Sequence, residues 1–539
     1  MFENFNRFTK NPVSLDYMRS RFPRPFNHKT TFTSGKLIPL MVDEVLPGDT
    51  YKVDFSSVVR MLTPAVPVMD NAFLDIFFFY VPNRLCTIHP DDWQKICGEN
   101  VSGYWAPATE ATAANTGNVY TLSPGNNVAA GSVFNYMGIP LGNRQANCDV
   151  NLMPFVAYLK IWDQWFRDQN TQPSPSWLNA NAVVGNNGYV DLRLDCMPVN
   201  KYHDLFTSVL PQPQKGNSVL LPIVGNAPVK TSTTEQMTGA QEPLHLKYAS
   251  NGNTAVGTAM GASTVGNAFV SGSSPTGGNT VYPSNLYADL ANATATSVNE
   301  LRQAFAIQRL LEKDARGGSR FRELLKSHFG VTVPDLTVQV PEYICGKHIP
   351  LNVTQVLQNS ETANTPLGTT GAFSNTGYSN HMFVKSFTEH GFLMCVGCVR
   401  TATSYSQGLP KLFMRQRRYD WYWPVFANLG EQPIYKEELY CKGVSSYKSQ
   451  VFGYNEAWAE YRFKPTLITG AVAPDSGDTL MSKWTYTVPF SAAPTLNSDF
   501  MKQPTSAIGD TLVDTTMSYQ FVGDFLFDMK CTRIMPLYR

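Results

Sequence analysis

The chain has 539 residues, of which 43% are hydrophobic and only 16% are charged. Lysine and arginine number 43 and aspartate and glutamate number 42, so the formal net charge is +1. This balance excludes a basic protein that coats nucleic acid through bulk charge, and the 12% aromatic content excludes a disordered chain. The 38 glycines and 36 prolines predict a large, folded, loop-rich β protein whose uncharged surfaces are buried in an assembly.

No targeting signal is apparent. Residues 1–10 mix phenylalanines with charged side chains and lack the apolar core of a secretory signal peptide. The densest apolar run, residues 73–81, is far shorter than the ~20 residues of a membrane-spanning helix. The nine cysteines lie between Cys86 and Cys531 without a disulfide framework, so we expect reduced thiols, synthesis in a cytoplasm and no membrane partner.

The first thirty residues form a distinct basic arm. Lysine and arginine side chains here outnumber the acidic residues Glu3 and Asp16, and Pro23 and Pro25 discourage regular structure. A short cationic arm either binds phosphate groups or laces between subunits, and the sequence leaves both alternatives open. The candidate DNA-contacting residues of the arm are Arg7, Arg19, Arg21 and Arg24.

From residue 37 onward the sequence predicts strands. Residues 51–56 alternate between apolar and polar, which is the period of a half-buried strand. Residues 73–81 are apolar on both faces, as in a fully buried strand. The alternation predicts further strands over residues 336–340 and 484–488. Long connections between these strands favour a β-sandwich or jelly roll with large insertions.

Two helical regions interrupt the strands. Residues 152–168 carry large apolar side chains at spacings of three and four. Residues 300–329 predict one helix that ends at the glycine pair 317–318 and a second, short helix over 320–328. The side chains expected to form apolar faces are Leu301, Ala304, Phe305, Ile307, Leu310 and Leu311 on the first of these helices and Phe321, Leu324 and Leu325 on the second.

Between residues 226 and 298 the character of the chain changes. Residues 249–298 contain one charged residue, Asp289, amid glycine, alanine, serine, threonine and asparagine. This composition is typical of a flexible linker. The aromatic residues scattered through it instead favour an exposed insertion that folds by packing against copies of itself.

Motifs of enzymes and metal centres are absent or incomplete. The sequence lacks the signatures of phosphate-binding loops, dinucleotide-binding folds, zinc proteases and serine hydrolases. Cys395 and Cys398 have the spacing of half a zinc site, but residues three apart in a strand point to opposite faces. We therefore expect buried thiols there, and we assign no catalytic, cofactor-binding or metal-binding residue.

Residues 415–423 combine three arginines with two tyrosines and two tryptophans. Arginines pair with phosphates while aromatic faces stack on unpaired bases, so this segment is a candidate for contact with single-stranded DNA. The same residue types are enriched in protein interfaces, and tryptophans also fill cores, so these alternatives stay open. The candidate DNA-contacting residues of the segment are Arg415, Arg417 and Arg418.

Several motifs occur in a fixed order along nearly the whole chain. They are RFPRPFNH (21–28), the stretch 36–47, MDNAFLDIFFFYVP (69–82), LRQAFAIQRLL (301–311), DARGG (314–318), KSHFG (326–330), SYSQGLP (404–410) and EAWAEYR (456–462). Together they resemble the major capsid protein of gokushoviruses, small icosahedral single-stranded DNA phages of the microvirus family. The resemblance implies an eight-stranded viral jelly roll and a T=1 shell of sixty copies around a circular single-stranded DNA genome.

The resemblance also implies partners and an organisation of the chain. The partners are a DNA pilot protein, a small internal basic DNA-binding protein and a bacterial cell-surface receptor. The expected parts are a basic arm (1–30), a jelly roll in two pieces (31–225 and 299–539), and a surface insertion (226–298) that protrudes at the threefold axes. Since relatives in this group lack a separate large spike protein, we expect the insertion to face the receptor, and its candidate side chains are Phe269, Tyr282 and Tyr287.

Two other classes of function fit parts of the sequence. A β-sandwich that binds or cleaves carbohydrate fits the aromatic content, but a glycosidase needs two carboxylates about 5–10 Å apart and no local pair marks such a site. A single-stranded DNA-binding module fits residues 415–423, but the length and the near-zero charge of the chain count against it. We expect a structural capsid protein of the virion, neither an enzyme nor cofactor-dependent, assembled in the host bacterial cytoplasm.

Overall fold

The computed structural model of the protein describes most of the chain outside its central part. The described residues are 18–87, 93, 96–97, 121–122, 127–143, 150–175, 195–219, 229–231, 246–248, 260–262, 268–270, 281–284, 286–288, 298–361, 366–368, 370–443 and 445–537. The chain divides into two compact units. Residues 214–313 form one, which we call the insertion unit, and residues 1–213 with 314–539 form the other, the sheet unit.

Nine strands of the sheet unit form two antiparallel sheets. They are β1 (Ser20–Pro23), β2 (Phe26–Phe32), β3 (Ile38–Val45), β4 (Thr50–Met61), β5 (Ala72–Pro82), β6 (Glu342–Pro350), β7 (Thr376–Ser386), β8 (Gly391–Thr401) and β9 (Phe521–Arg533). One sheet has the order β1-β9-β4-β7, and β2 pairs with β9 as well; the other has the order β6-β5-β8-β3. Because β1 and β2 share one edge of β9, each sheet has four strand positions, and the predicted eight-stranded jelly roll is confirmed.

The main core lies between the two sheets and is rich in aromatic side chains. Tyr51, Val53 and Phe55 of β4 are fully buried and the intervening Lys52 is exposed, as the alternation predicts. Rings from opposite sheets meet there, with the centroids of Phe55 and Phe78 6.5 Å apart in an edge-to-face arrangement. The packing of these rings fixes the distance between the sheets.

A helix covers the other face of the second sheet. This helix, α1 (Met153–Ile161), continues as a π-helical turn over Trp162–Phe166, so the helix predicted over 152–168 is confirmed. Its buried Phe155 and Leu159 belong to the same cluster as Val396 of β8. Because β5 and β8 are covered on both faces, their sequences are nearly continuous apolar runs, as predicted for residues 73–81.

Two of the predicted strands are wrong. Residues 336–340 form turns in which backbone N–H groups donate to carbonyls three to five residues earlier, and Gln339 has a left-handed φ of 60°. Residues 484–488 pair with no strand in the described part of the chain, although Tyr486 is buried and its N–H donates to Asp70. An apolar–polar alternation indicates which side chains are buried. A strand also needs a neighbouring strand whose backbone groups are free to form hydrogen bonds with it.

The second half of the basic arm is regular structure. Residues 18–30 contain β1 and most of β2, so the expectation that prolines prevent regular structure is wrong for them. Pro23 ends β1, and Pro25 lies in the break between β1 and β2. Prolines at such positions remove no interior bond of the ladder.

The helices predicted over 300–329 are confirmed as α2 (Val298–Arg316) and α3 (Phe321–Phe329), but their apolar faces are not buried. On α2, which is described in full, Ala304 alone is buried. The inward orientation predicted for Phe321 is wrong, because this side chain is exposed. Arg322 of the same helix packs against the rest of the sheet unit, with its guanidinium carbon 3.8 Å from the centroid of the Trp165 ring.

Shorter elements decorate the sheet unit. Its paired short strands are Thr121–Leu122 with Val150–Asn151, Asn127–Val128 with Gly142–Asn143, Val353–Leu357 with Thr370–Ser374, and Gln432–Tyr435 with Val451–Asn455. The short α-helices within its described residues are Val133–Tyr136, Lys411–Met414, Ser498–Met501 and Ser506–Gly509. Among the described helices, none is both long and apolar enough to span a membrane.

The insertion unit contains three nested pairs of antiparallel strands. From the outermost to the innermost pair, they are Val229–Thr231 with Leu286–Ala288, Leu246–Tyr248 with Val281–Pro283, and Met260–Ala262 with Ala268–Val270. This nesting is the pairing order of one long hairpin. Most of the described residues between 229 and 288 are therefore paired in strands.

Phe55→Ala should destabilise the dissociated subunit by about 3–5 kcal/mol, because the substitution leaves a cavity between the sheets. Val58→Ala is the matched control on the same strand, since Val58 is exposed on the opposite face and its loss should cost no more than about 0.5 kcal/mol. Urea unfolding followed by tryptophan fluorescence measures both effects. Equal destabilisation by the two substitutions would contradict the placement of the core.

Candidate assembly and nucleic-acid surfaces

Three of the four candidate arginines of the arm lie on or next to its strands. The fourth, Arg7, lies outside the described residues. Arg19 and Arg21 are exposed on and beside β1. Arg24 is half-buried, and its two terminal nitrogens donate to both carboxylate oxygens of Asp43 at 2.7 and 2.8 Å. A bidentate pair of this kind orients both side chains firmly, so Arg24 ties the arm to β3.

A second arginine completes this cluster from the end of β9. Arg533 donates to the carboxylate of Asp49 at 2.8 Å and to the hydroxyl of Tyr51 at 2.7 Å. The Tyr51 hydroxyl donates in turn to Asp43 at 2.8 Å. Burial, and then the neighbouring Asp43, raise the pKa of Tyr51, so the phenol stays protonated and holds the two ion pairs together.

The predicted cationic and aromatic segment folds as a series of tight turns, with 3₁₀ turns over Arg418–Asp420 and Pro424–Phe426. The Asp420 carboxylate accepts the backbone N–H groups of Gln416 and Arg417 at 2.9 and 2.7 Å. These hydrogen bonds lower the pKa of Asp420. An ionised Asp420 therefore holds the turn that presents Arg417 and Arg418 to solvent.

The side chain of Arg415, at the start of this segment, is buried beneath the residues that follow it. It is 6% exposed, and its guanidinium donates to Glu460 at 2.8 Å. The same guanidinium carbon lies 4.4 Å from the centroid of the Tyr461 ring and 5.5 Å from that of Trp421. A cation that is already paired and covered by rings has little left to offer a phosphate.

The aromatic side chains of the segment are exposed. Tyr419 is 71% exposed, Trp421 46% and Trp423 45%, so the alternative that the tryptophans fill the core is wrong. Ring contacts join the segment to Tyr461, whose ring lies 6.0 Å from that of Tyr422. We call these five side chains, Tyr419, Trp421, Tyr422, Trp423 and Tyr461, the aromatic platform.

The cysteine pair of β8 has the predicted arrangement. Cys395 is buried between the sheets, whereas Cys398 is buried on the opposite face, in the cluster with α1. Burial raises the pKa of Cys398 to about 12 and that of Cys395 well above its usual value, so both are inert thiols. Among the described residues, no group of three or more histidine, cysteine or acidic side chains could hold a metal ion.

Sequence reasoning missed a buried charge cluster centred on Asp75 of β5. Its carboxylate accepts hydrogen bonds from Arg400 of β8 at 2.8 Å and from the Tyr202 hydroxyl at 2.6 Å, and it bonds the His348 ring of β6 at 2.6 Å. The position of Asp75 inside an apolar run could have indicated this cluster, since a buried carboxylate requires hydrogen-bonding or charged partners. The cluster joins three neighbouring strands and is structural.

The candidate receptor-facing residues lie on the nested strands of the insertion unit. Phe269 belongs to the innermost pair, Tyr282 to the middle pair and Tyr287 to the outermost pair. The structure describes the backbone pairing of these three residues but not their side chains. The three positions are thus distributed along the hairpin pairing and not gathered at one turn.

A jelly roll whose ion pairs hold its own strands and turns, with an aromatic platform left exposed, fits a structural subunit of a virus shell. The chain matches the family described as "Capsid protein (F protein)" over residues 13–539. It is 37% identical to capsid protein VP1 of Bdellovibrio phage phiMH2K, covering 99% of this chain and 97% of that protein. VP1 of Chlamydia phage 1 is 34% identical (99% and 97% covered), and VP1 of Spiroplasma virus 4 is 33% identical (99% and 96% covered).

The chain belongs to this family of phage capsid proteins. The resemblance to gokushovirus capsid proteins is confirmed, and the chain is a structural, non-enzymatic component of a phage virion. As a capsid protein it forms a multimeric shell.

Arg415→Met should destabilise the dissociated subunit by about 3 kcal/mol, because it leaves the Glu460 carboxylate without its cation. Arg417→Met removes the same charge from an exposed position and should change stability by no more than about 0.5 kcal/mol. Thermal unfolding of the two variants in parallel checks the difference. If Arg417→Met proved the more damaging substitution, the anchoring role of Arg415 would be lost.

Proposed function

We propose that sixty copies of this chain close into a T=1 icosahedral shell around a circular single-stranded DNA genome. The observation that carries the proposal is the single jelly roll spanning the chain of a capsid-family protein, with apolar side chains left exposed along α2, α3 and the aromatic platform. Monomeric proteins rarely expose so much apolar surface. Closed symmetry lets identical copies cover such surfaces without open-ended growth.

The proposed DNA contacts are few. Arg19 and Arg21 are exposed and free of the ion-pair network that holds Arg24, so they are the first candidates for phosphate contact. Arg417 and Arg418 are also exposed, but their aromatic neighbours favour a protein contact. Because a subunit of net charge +1 cannot neutralise a genome, a small internal basic protein is the proposed additional source of cations, beside a DNA pilot protein.

The insertion, residues 226–298, is the proposed receptor-facing element. Residues 249–298 of the insertion carry a single charged side chain, Asp289, so identical copies of this stretch repel one another little. Its apolar side chains are too sparse to form a core within one chain, so three copies around a threefold axis would pool them. Phe269, Tyr282 and Tyr287 are the candidate side chains for contact with a bacterial surface receptor.

Electron microscopy of the expressed protein should show closed T=1 particles, with contacts between subunits that bury well over about 2,000 Å² in total, as obligate interfaces do. A soluble, monodisperse monomer at high concentration would count against the proposal. In a reconstruction of DNA-filled particles, Arg19 and Arg21 should face the interior. If both lay on the outer surface, their assignment to DNA would fail.

The nested pairing suggests a clean deletion of the insertion. Removing residues 232–285 and joining Thr231 to Leu286 through an Asn-Gly turn retains the outermost strand pair as a two-residue hairpin. The sheet unit should still fold, and particles should bind host cells at least about tenfold more weakly. Adsorption of labelled particles to cells measures this loss. Deletion particles that assemble and adsorb normally would remove the receptor role.

A further inference from the structure

The aromatic platform is built as a rigid surface. The Trp423 ring N–H donates to the backbone carbonyl of Arg418 at 3.1 Å, and the Trp458 ring N–H donates to the carbonyl of Phe426 at 3.0 Å. Trp458 supports the platform from below, with its ring 5.6 Å from that of Tyr422. Because these two indole N–H groups are bonded within the chain, the Trp423 and Trp458 rings are held in fixed positions.

The support beneath the platform is also fixed. Arg415 is neutralised by Glu460 and packs against the rings of Trp421 and Tyr461. Asp420 holds the intervening turn through two backbone hydrogen bonds. Because these side chains are already held in place, binding of a partner costs little conformational entropy, which favours affinity.

The charges around the platform are those of a protein contact. Sites for single-stranded nucleic acid combine stacking rings with a groove of free cations that follows the phosphates. Within residues 415–423 the exposed cations are Arg417 and Arg418, and Asp420 opposes them. This net charge of about one cation within the segment is too small to follow a phosphate backbone, and the exposed Arg462 beside Tyr461 is paired with Glu456.

We infer that the aromatic platform is the centre of a contact with a second copy of this chain in the shell. Tryptophan, tyrosine and arginine are the residues that dominate the centres of protein interfaces, where they exclude water and are surrounded by weaker contacts. The occupant is another copy because the chain forms a multimeric shell, and neighbouring copies that each carry a net charge of +1 repel one another little. Val425, which is 88% exposed beside the platform, extends the apolar surface.

The test uses the full chain expressed with the other phage proteins. Trp421→Ala combined with Trp423→Ala should reduce the yield of sedimenting particles by about tenfold or more, because these rings form the centre of the contact. The unfolding midpoint of the dissociated subunit should change little, because both rings are half exposed. The matched variant combines Trp421→Phe with Trp423→Phe, which keeps an aromatic ring face at each position and should recover particle yield to within about threefold of the parent.

A photo-crosslinker tests the occupant without disturbing the rings. p-Benzoylphenylalanine in place of Val425, irradiated in intact particles, should link two copies of the chain. A crosslink to nucleic acid, or no crosslink between copies, would overturn the inference, as would normal particle yield from the tryptophan variant. T=1 particles in which the platform faced solvent would overturn it while leaving the proposed shell intact.

Discussion

The pairing of β9 with strands from the start of the chain is the constraint on which the rest of the structure depends. β9 is the last strand, and it is hydrogen-bonded to β4 on one edge and to β1 and β2 on the other. The Arg24–Asp43 and Arg533–Asp49 pairs, bridged by Tyr51, hold this junction together. Once β9 has paired with these strands, the connections between the other strands can be long, because the entropy cost of closing a loop grows only slowly with its length.

The longest connection between strands of the sheet unit joins β5 to β6 and contains the insertion. β5 ends at Pro82 and β6 begins at Glu342, yet these strands pair antiparallel along most of their length. The chain between them contains α1, the nested strands of the insertion unit, α2 and α3. The insertion unit has its own strand pairing, so it can vary without altering the register of the sheets that carry it.

Charge and apolar surface divide the work of folding and assembly. The buried ions, such as Asp75 and Arg415, are paired within the chain and position strands and turns. Apolar side chains are left over on α3, on the hairpin Val353–Leu357 with Thr370–Ser374, and on the aromatic platform. An isolated hairpin is marginal on its own, so its exposed side chains gain most from a neighbouring subunit. In the proposed shell, association between copies therefore relies on rings and aliphatic side chains.

What the sequence alone determined is the set of features with a local period. The alternation in β4, the continuous apolar runs of β5 and β8, the helix α1 and the opposite orientations of Cys395 and Cys398 follow from the spacing of residues along one element. The motifs determined the family, because they recur in order over the whole chain.

What only the tertiary structure decided is which partner each pattern meets. Residues 336–340 alternate but find no free strand edge, and Phe321 lies on an apolar helix face that the chain itself does not cover. Arg24 and Arg415 look free in the sequence, yet Asp43 and Glu460, distant along the chain, neutralise them. A local pattern specifies a face and a charge, but burial and pairing depend on residues that come near only when the chain has folded.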